Sequence, residues 1–187
     1  MRLRSKYSNG NKCNPMRLIK FAFLGLIVLF AVLTALSLLF PSTIRIARVV
    51  NVPASRRQGV YAAVSDFGTW KQWNDFVYQS SLTNIRYSSP SAGAGATLRS
   101  DQLWIEETRA DTAGVLLSWD MVNGKQFVGG FQFLSLNPDS VTVQWWFEFH
   151  FRWYPWEKLG IFVYDRKFGP VMEESLGLLQ RFVENPR

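Results

Sequence analysis

One cysteine, one histidine and no acidic residue ahead of Pro41 are the scarcities that exclude most. Cys13 has no partner in the chain, so no internal disulfide forms and the fold depends on its own core. One histidine, His150, and one distant cysteine do not make a His/Cys zinc site, and no metal or cofactor is expected. There is no G-x-S-x-G elbow and no local Ser-His-Asp arrangement. The glycine-bearing stretch Pro90–Gly95 lacks the Gly-Lys-Ser/Thr ending that grips a phosphate. Glu106 and Glu107 are adjacent, so a strand sends them to opposite faces and they are not a catalytic carboxylate pair. Whichever of Glu107 and Arg109 turned inward would bury a charge in need of a partner. No catalytic residue is assigned.

What is abundant is apolar. Twenty consecutive residues, Phe21 to Phe40, carry no charge, and their only hydroxyls are those of Thr34 and Ser37. As a helix this run spans about 30 Å, the hydrocarbon thickness of a bilayer. The formal charge of +7 is concentrated ahead of it: Arg2, Arg4, Lys6, Lys12, Arg17 and Lys20 precede the run, whereas from Pro41 onward 15 basic residues face 14 acidic ones. That distribution removes the nucleic-acid reading that the net charge invites and reads instead as a positive-inside signal. The chain divides into a basic cytoplasmic tail (1–20), a transmembrane helix (21–40) and a folded domain (43–187). The expected location is a bacterial inner membrane, single-pass, N-terminus in the cytoplasm and domain in the periplasm. A cleaved signal is the rival, but Ala35-Leu36-Ser37 is a poor small-x-small site with large apolar residues continuing to Phe40. Arg45, Arg48, Arg56 and Arg57 after the span argue for the opposite orientation, although long domains translocate despite such charges.

Beyond Pro41 the β-branched Thr43–Val52 predicts a strand, with Ile44, Ile46, Val50 and Val52 sharing one parity that Arg48 interrupts. Ser55 is a candidate N-cap for a helix over Arg57–Phe67, whose Val60, Ala63, Val64 and Phe67 form one face. Thr69–Asn74 reads as a second short helix. Strands are predicted over Leu82–Ser88, Thr97–Ala110 with a break near Asp101, Val115–Met121, Phe127–Leu136 and Val141–Phe151. Asn123-Gly124 is a hairpin signal, and Gly129-Gly130 a bulge or bend. In the last strand Val141, Val143, Trp145, Phe147, Phe149 and Phe151 face one way, and Thr142, Gln144, Trp146, Glu148 and His150 the other. His150, on the polar side near Glu148, reads as a surface or structural histidine. After Pro155, Val171, Met172, Leu176, Leu179, Phe182 and Val183 fall at helical spacing. The expected fold class is α+β: a curved antiparallel sheet of about six or seven strands closing around a long C-terminal helix.

The strand ending VNVPAS, the helix VYAAVSDFGTWKQWN with its Asp66…Trp70…Trp73-Asn74 spacing, Gly93-x-Gly95-Ala96 and the terminal MEESLGLLQRFVE carry a resemblance. Over Thr43–Asn185 the chain resembles the helix-grip superfamily of START domains, birch-pollen-allergen-like proteins and the polyketide cyclase/dehydrase group. Many members of unassigned function have one N-terminal anchor followed by a proline, as here at Pro41. The resemblance implies lipid carriers, ligand sensors or cyclases without choosing among them.

Three sets of candidate site residues follow. Leu103, Ile105, Leu117, Trp119, Phe131, Phe133, Trp145, Phe147 and Phe149 line a groove under the helix, either as a filled core or as a pocket for a lipid, isoprenoid or aromatic molecule. Asp66, Trp70, Trp73 and Asn74 form a packed corner or a gate at its end. Trp146, Trp153, Tyr154 and Trp156 are interface candidates for lipid headgroups or a membrane partner. The leading expectation is a non-catalytic domain binding an apolar ligand or lipid. The alternatives are an accessory subunit of a membrane complex and a cyclase- or hydrolase-like enzyme.

Overall fold

A computed structural model of the chain describes residues 15–39, 41–78, 82–152, 154, 157 and 161–185. A helix α1 (Pro15–Leu38) leads, followed by strand β1 (Thr43–Pro53), helix α2 (Arg57–Ser65) and helix α3 (Asp75–Tyr78). Six strands then follow: β2 (Arg86–Tyr87), β3 (Thr97–Arg99), β4 (Leu103–Asp111), β5 (Gly114–Met121), β6 (Gln126–Asn137) and β7 (Ser140–His150). A long helix α4 (Ile161–Glu184) ends the described chain. The seven strands form one antiparallel sheet in the order β1-β7-β6-β5-β4-β3-β2. Among the described residues α1 is the one helix long and apolar enough to cross a membrane.

Alternation decides which face is dry. In β7 Val141, Val143, Trp145, Phe147 and Phe149 are all buried, each separated by a half-buried residue, as the period of two requires. β5 does the same with Val115, Leu117 and Trp119. Against this wall α4 presents Phe168, Met172, Leu176, Leu179 and Val183, spaced four, four, three and four residues apart on one stripe.

Arg48, which interrupts the apolar parity of β1, fastens the helix to the sheet. Its Nε donates to Glu173 Oε1 at 2.6 Å and its Nη2 to Asp165 Oδ1 at 2.9 Å. Gly169 lies between the two acids, and a Cβ there would collide with the guanidinium. Glycine therefore supplies the room for the clamp.

Three expectations are corrected and one is narrowed. Ser55 is not an N-cap: it sits inside a 3₁₀ turn, Ala54–Arg56, and α2 starts after Arg56 with no side-chain cap. The second short helix expected over Thr69–Asn74 is present as a three-residue 3₁₀ helix, Trp70–Gln72. Leu82–Ser88 shrinks to two strand residues, because Asn84 takes φ 56° and Asp101 Oδ1 and Oδ2 hold the Thr83 amide and hydroxyl. Gly129-Gly130 is not a bulge; both pair in register with β5 and β7. The glycines are there because a Cβ on Gly129 would strike the Phe147 ring and one on Gly130 the Val115 carbonyl. The register breaks fall at Glu107/Arg109 and Leu134/Asn137.

Candidate functional site

The middle of the groove is filled by rings. Trp119 and Phe147 stand edge to face with centroids 5.0 Å apart, and Phe131 stacks on Trp145 at 5.1 Å. Phe76 of α3 inserts edge-on to Trp119 at 5.5 Å and Trp145 at 6.0 Å. Trp70 stacks over Trp119 at 6.1 Å, and Trp73 meets Phe131 at 5.8 Å. These offset and perpendicular arrangements are the favourable geometries of aromatic pairs. Of the nine groove candidates, Ile105, Leu117, Trp119, Phe131, Phe133, Trp145 and Phe147 belong to this packed interior.

The corner residues hold its wall. Asp66 Oδ1 accepts the Gly68 amide at 2.8 Å and the Ser91 hydroxyl at 2.6 Å, tying the Pro90–Gly95 loop to the end of α2. Trp70 Nε1 donates to Val64 O at 3.1 Å. Asn74 caps α3 by accepting the Val77 amide on Oδ1 at 3.2 Å.

One ionisable group lies in the filled region. Glu107 is 0 % exposed and neither carboxyl oxygen has a hydrogen-bond partner. Arg109, displaced by the register break, is exposed instead and pairs with Asp111 at 2.7 Å. Burial pushes the Glu107 carboxyl up to about 7; the Gly93 amide opposes the shift without completing a hydrogen bond.

Space opens at one end. A depression of about 700 Å³ is lined by Met121, Phe127, Phe149, Phe151, Val163 and Phe168, with Lys125, His150, Arg152, Glu157, Tyr164 and Lys167 also on its wall. A second, of about 750 Å³, lies on the other side of Lys167 and Phe168 and takes in Phe76, Leu82, Leu103, Val122 and Val171. Leu103 and Phe149 are the two groove candidates that reach these openings. Phe127 and Phe168 were missed, although Phe168 lies four residues before Met172 on the same helical stripe. Lys125, Tyr164 and Lys167 carry no apolar period and had no signal of that kind.

The interface candidates separate. Trp146 is on the outer face beneath Arg45, whose guanidinium carbon is 4.2 Å from the ring centre. Tyr154 is half-buried. Trp153 and Trp156 lie outside the described residues, as does the tail before Pro15. His150 is exposed on the outer face, its Nε2 3.8 Å from Glu148 Oε1.

A curved sheet gripping one helix, with the family's corner motif at its end, is matched by a family model described as polyketide cyclase / dehydrase and lipid transport over residues 43–184. The chain belongs to that family. Similar solved structures share its helix-grip fold. The two-domain aromatase/cyclase BexL of the BE-7585A biosynthetic pathway has a TM-score of 0.58 at 13% identity, over 78% of this chain and 52% of that one. DynU16, from the dynemicin biosynthetic locus, has a TM-score of 0.52 at 18% identity, over 79% and 49%. This polyketide cyclase / dehydrase family member thus spans about half the length of each of those two proteins. Norcoclaurine synthase from Thalictrum flavum, complexed with dopamine and hydroxybenzaldehyde, has a TM-score of 0.53 at 15% identity, over 78% and 89%. At these identities the likeness is one of fold. No curated protein matches the chain by sequence.

Proposed function

We propose that this family member is a single-span membrane protein whose helix-grip domain binds an apolar small molecule or lipid without transforming it. The carrying observation is the open end of the groove, where Phe127, Phe149 and Phe168 floor a space of about 700 Å³, within the range of small-molecule sites. The polar groups at the open end favour binding without chemistry: Lys125 Nζ donates to the Tyr164 hydroxyl at 2.7 Å, the Glu157 carboxylate accepts the Arg152 amide at 2.8 Å, and His150 is exposed on the outer face. The basic tail and apolar α1 support an inner-membrane anchor with the domain on the outer face.

Native mass spectrometry of the full chain released from mild detergent tests this reading. The expected result is a bound apolar species on the wild-type chain and at least tenfold less on Val163→Glu, which puts a charge on the open wall. A wild-type chain free of adducts, with an intact fold, overturns it. The same preparation reports any stoichiometric protein partner, the outcome required by the accessory-subunit alternative.

A further inference from the structure

The sheet register places the open end beside the anchor. Thr43, the first residue of β1, pairs with His150 at the end of β7. Asp120 pairs with Gln126 across the β5–β6 hairpin, and Leu103 pairs with Met121. All of these positions therefore share one edge of the sheet, and both depressions are lined from it. The tether itself joins the rim: Ser42 O accepts the amide of Phe151, a lining residue, at 2.7 Å. From Leu39 at the end of the anchor to Thr43 the chain reaches roughly 14 Å at most when extended. The opening is thus held within a headgroup layer's distance of the hydrocarbon that α1 crosses.

The chemistry of the rim is one-sided. Lys125, Arg152 and Lys167 line the first depression against a single acid, Glu157, whose carboxylate accepts the Arg152 amide at 2.8 Å. Lys125 Nζ donates to the neutral Tyr164 hydroxyl at 2.7 Å. Among the described residues none of the three cationic side chains is paired with a carboxylate. Asp75 is the acid of the second depression, across Lys167. Beneath this rim the floor is aromatic.

We infer that the site takes an anionic membrane lipid directly from the bilayer that anchors the domain. The phosphate lies among Lys125, Arg152 and Lys167, and an acyl chain runs over Phe127, Phe149 and Phe168. Cations on flexible stems suit a headgroup that stays partly wet, and their attraction adds to the burial of the chain. This inference rests on the apolar-ligand reading and adds the headgroup, its ligands and the route.

The test uses the full chain in proteoliposomes carrying photoactivatable phosphatidylglycerol, phosphatidylcholine or diacylglycerol of one acyl composition, with crosslinks mapped by peptide mass spectrometry. Phosphatidylglycerol is expected to label the peptides bearing Lys125–Phe127, Phe149–Arg152 and Val163–Phe168 at least fivefold above either other lipid. Lys125→Gln/Lys167→Gln is expected to cut that labelling at least fivefold and to leave labelling of Met16–Leu38 unchanged. A control, Lys71→Gln/Arg109→Gln, removes two charges elsewhere and is expected to label as wild type; a matching loss there overturns the proposed headgroup site. Equal labelling by all three lipids, or a double variant that labels like wild type, overturns the headgroup assignment and leaves the apolar-ligand reading standing. Labelling confined to Met16–Leu38 overturns both.

Discussion

The middle of the groove and its tethered end are built from the same strands and helix, yet one is shut and the other open. In the middle, Trp119, Trp145 and Phe147 are completely buried among rings contributed by α3, by Trp70 and Trp73, and by β6. At the tethered end Val122 is 77 % exposed and Val163 63 % exposed beside the aromatic floor. Aromatic content is therefore a poor guide to where a ligand fits. Three-dimensional filling by α3, Trp70 and Trp73 decides it, and they stop short of the β5–β6 hairpin.

Truncation should separate the two regions most strongly. Trp119→Ala is expected to cost about 3–5 kcal/mol, whereas Val163→Ala should stay within about 0.5 kcal/mol. Chemical denaturation in mild detergent, followed by near-ultraviolet circular dichroism, measures both. A cheap Trp119→Ala would mean that the middle is not the packed core it looks like.

Glu107 tests whether the filled region is truly dry. Its folded carboxyl titrates near 7, above the ordinary carboxylate range, so the native state holds a proton that the unfolded chain has released. Stability from this group is fully present below about pH 4.5 and is lost as pH rises to about 7, by about 3 kcal/mol in all. In Glu107→Gln that slope should vanish. A wild-type stability curve flat across this window would show that water or a partner reaches the carboxylate.

The clamp gives a smaller effect. Asp165 and Glu173 are largely exposed, so Arg48→Ala should cost only about 1 kcal/mol, less at high salt. Gly169→Ala should destabilise the wild type, since the new Cβ displaces the guanidinium and also precedes Pro170 within the helix. In the Arg48→Ala background that cost should be smaller by about 1 kcal/mol, a coupling that a double-mutant cycle reads directly. Smallest of all, Ser55→Ala should change stability by less than about 0.5 kcal/mol, where a true N-cap would lose about 1.

The sequence made the elements of the domain largely legible. The period of two in Val141–Phe151 and of 3.6 near the C-terminus identified the wall and the gripping helix, and Asn123-Gly124 marked the hairpin that borders the open end. Shorter pieces were less legible. Leu82–Ser88 has strand composition, but the turn at Asn84 and the Asp101 contacts to Thr83 override it. Gly129-Gly130 has the composition of a bulge, but what those glycines accommodate is a ring and a carbonyl from neighbouring strands. Arg48 looked like a flaw in an apolar face because its two acids lie more than a hundred residues away.

By itself the sequence determined the order of the elements, which face of each strand is dry, and a helix apolar enough to span a bilayer, because hydropathy and its period are local properties of the chain. Only the tertiary structure decided which aromatics close on one another and which border open space. Position along a groove depends on strand register and on where distant helices dock. Those same pairings set Lys125, Arg152 and Lys167 around one opening and hold it against the tether.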